Sequence, residues 1–247
     1  MPPPVLCTLL AALKKPASKC EVGDLAMVFC VVLWFVLWGK LAATIMHTNR
    51  IQPVIPEFNH SDVLPPFLGQ SHSSATASPY EVSATALVER FATSSERVNL
   101  LDGLFRYRAA LGHLGFVHGF QWLDGSFVEN SEKFRNHAPQ DIDVVTFVYP
   151  PANMAAHEIS AMMHGHPELF NRQQCLQSYS CDTFLVRLNV PAHRLVRETT
   201  FWHGFFSHRR DDQVWKGLLQ LPLISDDGEA KIQLENLNPG DNRVATT

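Results

Sequence analysis

Two hydrophobic rhythms alternate along this chain. Apolar residues fall at helical spacing from near Tyr80, and Thr93 with Glu96 three residues later has the form of a capping box opening a second helix. Val98, Leu101, Leu104, Phe105 and Leu111 are its buried stripe, and Gly112 and Gly115 end it. The rhythm then changes. FVHGFQWL is rich in β-branched and aromatic residues and predicts a strand; after a polar stretch from Glu129 to Gln140, Ile142, Val144, Val145, Phe147 and Val148 predict a second, buried strand stopped by Pro150 and Pro151. Ala152 to His164 reads as a helix and CDTFLVRLNV as a third strand bounded by Pro191. A helical or irregular stretch carrying Phe201, Trp202, Phe205 and Phe206 leads to a fourth strand, VWKGLLQLPLI. This order, without internal repeats, predicts an α/β (α+β) fold, a mixed sheet flanked by helices.

Upstream, residues 46–79 read as an extended proline-rich arm, with Val54, Ile55, Phe58, Val63, Leu64, Phe67 and Leu68 giving it something to bury. Residues 80–225 form the main domain and 226–247 a polar tail. Residues 1–45 stand apart. The run LAMVFCVVLWFVLWG from Leu25 to Gly39 is uncharged but shorter than the roughly 20 residues a bilayer span requires. If Lys40 snorkels, the run extends to Met46 and can anchor the chain in a membrane. Alternatively, translation starts at Met46 and the preceding stretch is a gene-start artefact; a secretory signal fits less well because 24 residues precede the apolar run. The expected location is the cytoplasm, and a membrane only if residues 25–46 form an anchor.

Chemistry concentrates in residues 119–150. A strand runs into Gly125 and Ser126, and a later strand opens Asp141-Ile142-Asp143. Alternation along a strand turns Asp141 and Asp143 to one face and Ile142 to the core. Paired carboxylates repel unless a cation lies between them, and hard oxygen ligands select Mg²⁺ or Mn²⁺. A glycine lets the backbone approach a ligand closely, and the serine hydroxyl can hold phosphate oxygens. Asp124, by alternation from the turn, is expected to face away as a turn residue.

Composition narrows the partners. The chain has 20 basic and 24 acidic residues, net −4, so a long nucleic-acid duplex is not expected. Five cysteines, three of them before Cys30 and including it, fit a reducing compartment, and Cys175 and Cys181 are expected to be buried. His157, His164, His166, His203 and His208 lack the companions of a zinc set and read as surface or core histidines. The aromatic cluster from Phe201 to Phe206 reads as core.

Gly-Ser followed by Asp-x-Asp on the next strand resembles the polymerase beta-like nucleotidyltransferases, with Gly125, Ser126, Asp141 and Asp143 matching their motif. Residues from about Pro53 to Leu223 are also similar to an uncharacterised bacterial nucleotidyltransferase-like family, through IPEFN, LPPF, SPYEVS, LDGSFVE, PQDIDVV, CDTFLV, FFSHRR and VWKGLLQLPL. The resemblance implies that Asp141, Asp143 and a third acid, Asp182, hold metal and carry catalysis. Two ions, if present, would lie about 3.5 to 4 Å apart. Gly125 and Ser126 would cradle phosphate, with Arg209, Arg210 and Lys216 as further phosphate contacts. The implied reaction moves a nucleotidyl group, adenylyl in the first instance, from a nucleoside triphosphate to a protein, small molecule or RNA end. The alternative is a non-catalytic nucleotide- or partner-binding module of the same fold, such as an antitoxin-like component.

Overall fold

The computed structural model describes residues 55–69, 76–152 and 154–237. The apolar stretch at residues 25–46, and with it the choice between anchor and artefact, lies outside them. Among the described residues no helix is long and apolar enough to cross a membrane.

Five strands form one mixed sheet. They are β1 (Tyr80–Glu81), β2 (Gly119–Asp124), β3 (Ile142–Val148), β4 (Cys181–Arg187) and β5 (Leu219–Pro222), in the order β1-β5-β2-β3-β4. β2 is antiparallel to both β3 and β5, whereas β1–β5 and β3–β4 are parallel. The helices are α1 (Ala84–Phe91), α2 (Ser95–His113), α3 (Ser131–Arg135), α4 (Ala156–Gly165), α5 (Pro167–Phe170), α6 (Arg172–Tyr179), α7 (Ala192–Phe206) and α8 (Asp227–Leu237). The fold is α/β, as the alternating rhythms predicted.

β3 is buried along its whole length, and its alternation sorts two cores. Ile142, Val144 and Val148 join Leu87, Leu101, Leu104 and Phe105 of α1 and α2, while Val145 and Phe147 pack on the opposite face with Trp122, Val186 and Phe206. Fully burying a side chain of this size contributes about 1.5–3 kcal/mol, so both faces of the central strand hold the sheet between helical layers.

Several boundaries differ from the sequence expectation. Tyr80 begins a two-residue strand rather than a helix, because its backbone bonds to Leu218 across the sheet edge. α2 is capped by Ser94, whose hydroxyl accepts from the Arg97 amide at 3.3 Å, in place of Thr93. The polar tail begins with α8, which buries Ala230 and Leu234 against α1 and α2. Asp226, just before it, accepts from the Ala84 amide at 2.7 Å, and Asp227 accepts from buried Arg108 at 2.7 and 2.9 Å. The arm behaves as a strap: Val63 and Leu64 are fully buried, Ile55 nearly so, and Phe67 and Leu68 stay exposed.

Candidate functional site

Register places three aspartates abreast. Asp124 at the end of β2 pairs with Asp143 on β3, which pairs with Asp182 on β4. Residues directly opposite in a ladder project to the same face. Asp124 is therefore beside Asp143, not turned away as counting outward from the Gly-Ser turn implied, and it is 4% exposed.

Gly125 makes the next step. Its φ of +80° is a left-handed conformation that glycine adopts at little cost, and a Cβ there would lie 2.1 Å from Asp143 Oδ2. Strand, turn and carboxylate fit together only because the side chain is missing. Ser126 follows in the short helical turn Gly125–Val128. Arg97, buried on α2, pins this turn from behind by donating to the carbonyls of Phe127 at 2.7 Å and Glu129 at 2.8 Å. Gly125→Ala is expected to cost about 1–2 kcal/mol from backbone handedness alone, with displacement of Asp143 in addition. Thermal melts should show a fall of several degrees, while Ser126→Ala should leave the melting temperature in place.

The turn and the strand opening border a cleft of about 410 Å³ lined by Gly125, Ser126, Asp141, Asp143, His137, His208, Arg210 and Lys216, among others. The Asp143 carboxylate makes no hydrogen bond among the described residues; its closest cation is the exposed Arg210, with Nη2 at 3.7 Å. Asp182 is held elsewhere. Arg172 at the start of α6 grips it with two parallel donors, Nε to Oδ1 and Nη2 to Oδ2, the latter at 2.5 Å. Arg172 carries no signal in the sequence, since it lies in a polar stretch with no apolar stripe.

The expected phosphate contacts separate. Arg209 is buried and fully engaged by Asp212, by the Ser61 carbonyl at 2.8 Å and by the Phe134 ring at 3.6 Å, and it does not line the cleft. Lys216 does line it, but its ammonium donates to Glu129 at 2.6 Å and to the Gly125 carbonyl at 3.1 Å. It also stands 3.1 Å from Asp124 Oδ1 as an ion pair without hydrogen-bond geometry. Lys216 therefore fixes the turn. Arg210 alone of the three has an exposed head at the cleft.

Burial shapes the acids. It pushes Asp124 up to about 7 against the pull of Lys216. It pushes Asp143 up to about 6, helped by Asp141, and raises Asp141, helped by Asp182. Burial works against the Lys216 ammonium, and Asp124 with Glu129 outweighs it, so that pKa remains raised. For Asp124 and Asp143, the folded state holds protons more tightly than the unfolded chain. Their contribution to stability is complete below about pH 4 and is lost as the pH rises through 6 and 7. The chain should melt higher at pH 5 than at pH 8, and Asp143→Asn should flatten that difference.

Among the described residues, no three histidine, cysteine, aspartate or glutamate side chains converge as a metal-holding group. Asp141 and Asp143 offer carboxylates to the cleft, and the third acid is turned to Arg172. Cys175 and Cys181 are buried and unpaired, as expected. The aromatic cluster divides: Phe206 is core and Trp202 half-buried, whereas Phe201 and Phe205 are exposed.

A family model described as a family of unknown function (DUF6932) matches residues 56–222. The chain belongs to the DUF6932 family. The matched span contains every residue of the cleft, while α8, which completes the helical layer, lies beyond it. No curated protein and no solved structure matches this DUF6932 chain.

Proposed function

We propose that this DUF6932 chain is a metal-dependent nucleotidyltransferase of the polymerase beta-like superfamily, moving a nucleotidyl group, adenylyl in the first instance, from a nucleoside triphosphate to an acceptor hydroxyl. The observation that carries this reading is the contact between the two halves of the motif. Gly125, in a conformation that excludes a side chain, lies against the Asp143 carboxylate at the floor of an open cleft. A buried carboxylate without hydrogen bonds, as at Asp143, is costly as an anion, and with half-buried Asp141 beside it the pair fits a divalent cation through hard oxygens. Magnesium or manganese held there would neutralise triphosphate charge.

The chain's own groups supply the rest. The Ser126 hydroxyl, at the cleft, would hold a phosphate oxygen, and the exposed Arg210 would turn from Asp143 to the same anion. Asp182, beside Asp143 in register, would take the acceptor's hydroxyl proton on its carboxylate after Arg172 leaves. The acceptor oxygen then bonds to the α-phosphorus and pyrophosphate departs. Incubating the full chain with each α-labelled nucleoside triphosphate, magnesium and cell extract should give label on an acceptor; absence of transfer with every nucleotide rejects the reading.

A second reading has one observation in its favour. The bidentate Arg172–Asp182 pair closes the third carboxylate, as a non-catalytic nucleotide- or partner-binding module would. Arg172→Ala separates the two: an enzyme changes its rate, whereas a binding module shows no transfer before or after.

A further inference from the structure

Helix α7 presents one face to the sheet and another to solvent. Leu195, Trp202 and Phe206 point inward to the cluster around Trp122 and Phe147. Arg194, Arg197, Phe201, Phe205 and, just past the helix end, His208 are all exposed. Their spacings of three, four, four and three residues place them in one stripe along the helix. Phe201 is 57% exposed and Phe205 44%, and their rings lie nearly parallel, 6.0 Å apart with 10° between planes. The stripe runs to the cleft. The Arg210 guanidinium sits 5.0 Å from the Phe205 ring centre and 3.7 Å from Asp143, and His208 and Arg210 both line the opening.

Charge sets this face apart from the rest of the chain. Residues 187–212 hold five arginines against Glu198, Asp211 and Asp212, net +2, in a chain whose total is −4. Arg209 is spent internally on Asp212, but Arg187, Arg194, Arg197 and Arg210 are exposed. Two partly exposed aromatic rings, with Arg210 against Phe205 at one end and Arg194 and Arg197 at the other, suit a partner that is anionic along its length and has flat apolar surfaces at intervals. A single strand of nucleic acid has that character, since its phosphates meet the arginines and its unpaired bases stack on the rings. A duplex keeps its bases paired and offers no such faces, which agrees with the chain's overall acidity.

We propose that the α7 stripe binds single-stranded nucleic acid and leads its end to the cleft. This names the acceptor of the transfer reaction and rests on that reading for the fate of the strand's end; the binding itself does not. The test uses the full chain without nucleotide. Fluorescence anisotropy would follow a labelled ten-nucleotide single-stranded RNA, its DNA equivalent and the corresponding duplex. Either single strand should bind in preference to the duplex, and binding should weaken as salt rises. Phe201→Ala and Phe205→Ala should each weaken it about tenfold, and Arg194→Glu with Arg197→Glu should abolish it. Because these side chains are exposed, the melting temperature should not move, and the arginine variants serve if either phenylalanine variant fails to fold. Equal binding of the duplex, or full binding by the Phe201 and Phe205 variants, overturns the proposal. So does a dimer of the full chain that Phe201→Glu disperses, since the stripe would then be covered by a second copy. Transfer that persists undiminished in variants that no longer bind the strand overturns the strand's role as acceptor and leaves the reading of the cleft standing; strand binding without any transfer sinks the reading of the cleft alone.

Discussion

Lys216→Met should lower the melting temperature by roughly 6 to 20 °C, corresponding to about 3–5 kcal/mol for a buried charge pair that loses one partner. The lysine is 2% exposed and its ammonium faces Glu129, Asp124 and the Gly125 carbonyl. Methionine keeps the stem's packing and removes the charge, so the loss is electrostatic rather than a cavity. Glu129 retains Arg135 at 2.5 Å, but Asp124 has no second cation within ion-pair distance among the described residues. Its carboxyl, already raised to about 7 with the lysine present, should then take up a proton. The deficit should accordingly be larger at pH 8 than at pH 5, as melts at the two values would show. A cost that does not vary with pH would mean that Asp124 is not the group left uncompensated.

The second large effect distinguishes the two faces of β3. Ile142 is fully buried in the helical core, and Ile142→Asp places an unpaired charge there, so the domain should fail to fold. One residue on, Asp143→Asn keeps the volume and removes a carboxylate that burial and Asp141 already disfavour. Transfer should fall by orders of magnitude while the melting temperature holds or rises, with Asp141→Asn in the same direction. Circular dichroism and label transfer on the same preparations would check this. A folded Ile142→Asp, or an active Asp143→Asn, would show that the strand's two faces do not have the roles given to them here.

β3 was legible because Ile142, Val144, Val145, Phe147 and Val148 supply apolar side chains to both faces and Pro150 stops the run. Strand register was not. Asp124 was misread because counting along one chain cannot tell which residue lies opposite Asp143; that depends on how β2 and β3 pair. α5 and α6 escaped notice because each buries a single side chain, Leu169 and Cys175, too little to leave a period in the sequence. α8 was hidden for a related reason, with Ala230 and Leu234 its two buried residues. In α7 the apolar content was evident but its distribution was not. Phe201 and Phe206 are equally hydrophobic, and tertiary packing alone decides that one is covered and the other is not. Gly125, Ser126, Asp141 and Asp143 come together at the cleft as their order suggested, while Asp182 is adjacent but clasped by a residue that pattern could not reveal.

The position of β5 bears on how the protein is made. β5 lies between β1 and β2, and these two strands have no bonds to each other. A ribosome therefore releases β1, β2, β3 and β4 before the segment that joins the first of them to the rest has been synthesised. At about 5–20 residues per second, the interval from Glu81 to Leu219 is many seconds during which the β1 edge and the Leu64 carbonyl of the strap, which accepts from the Gly217 amide, lack their partner. A stalled or truncated chain ending before residue 219 would expose the open side of β2, a surface suited to pairing with another nascent copy, so completion of this sheet is also what protects the growing chain from its neighbours.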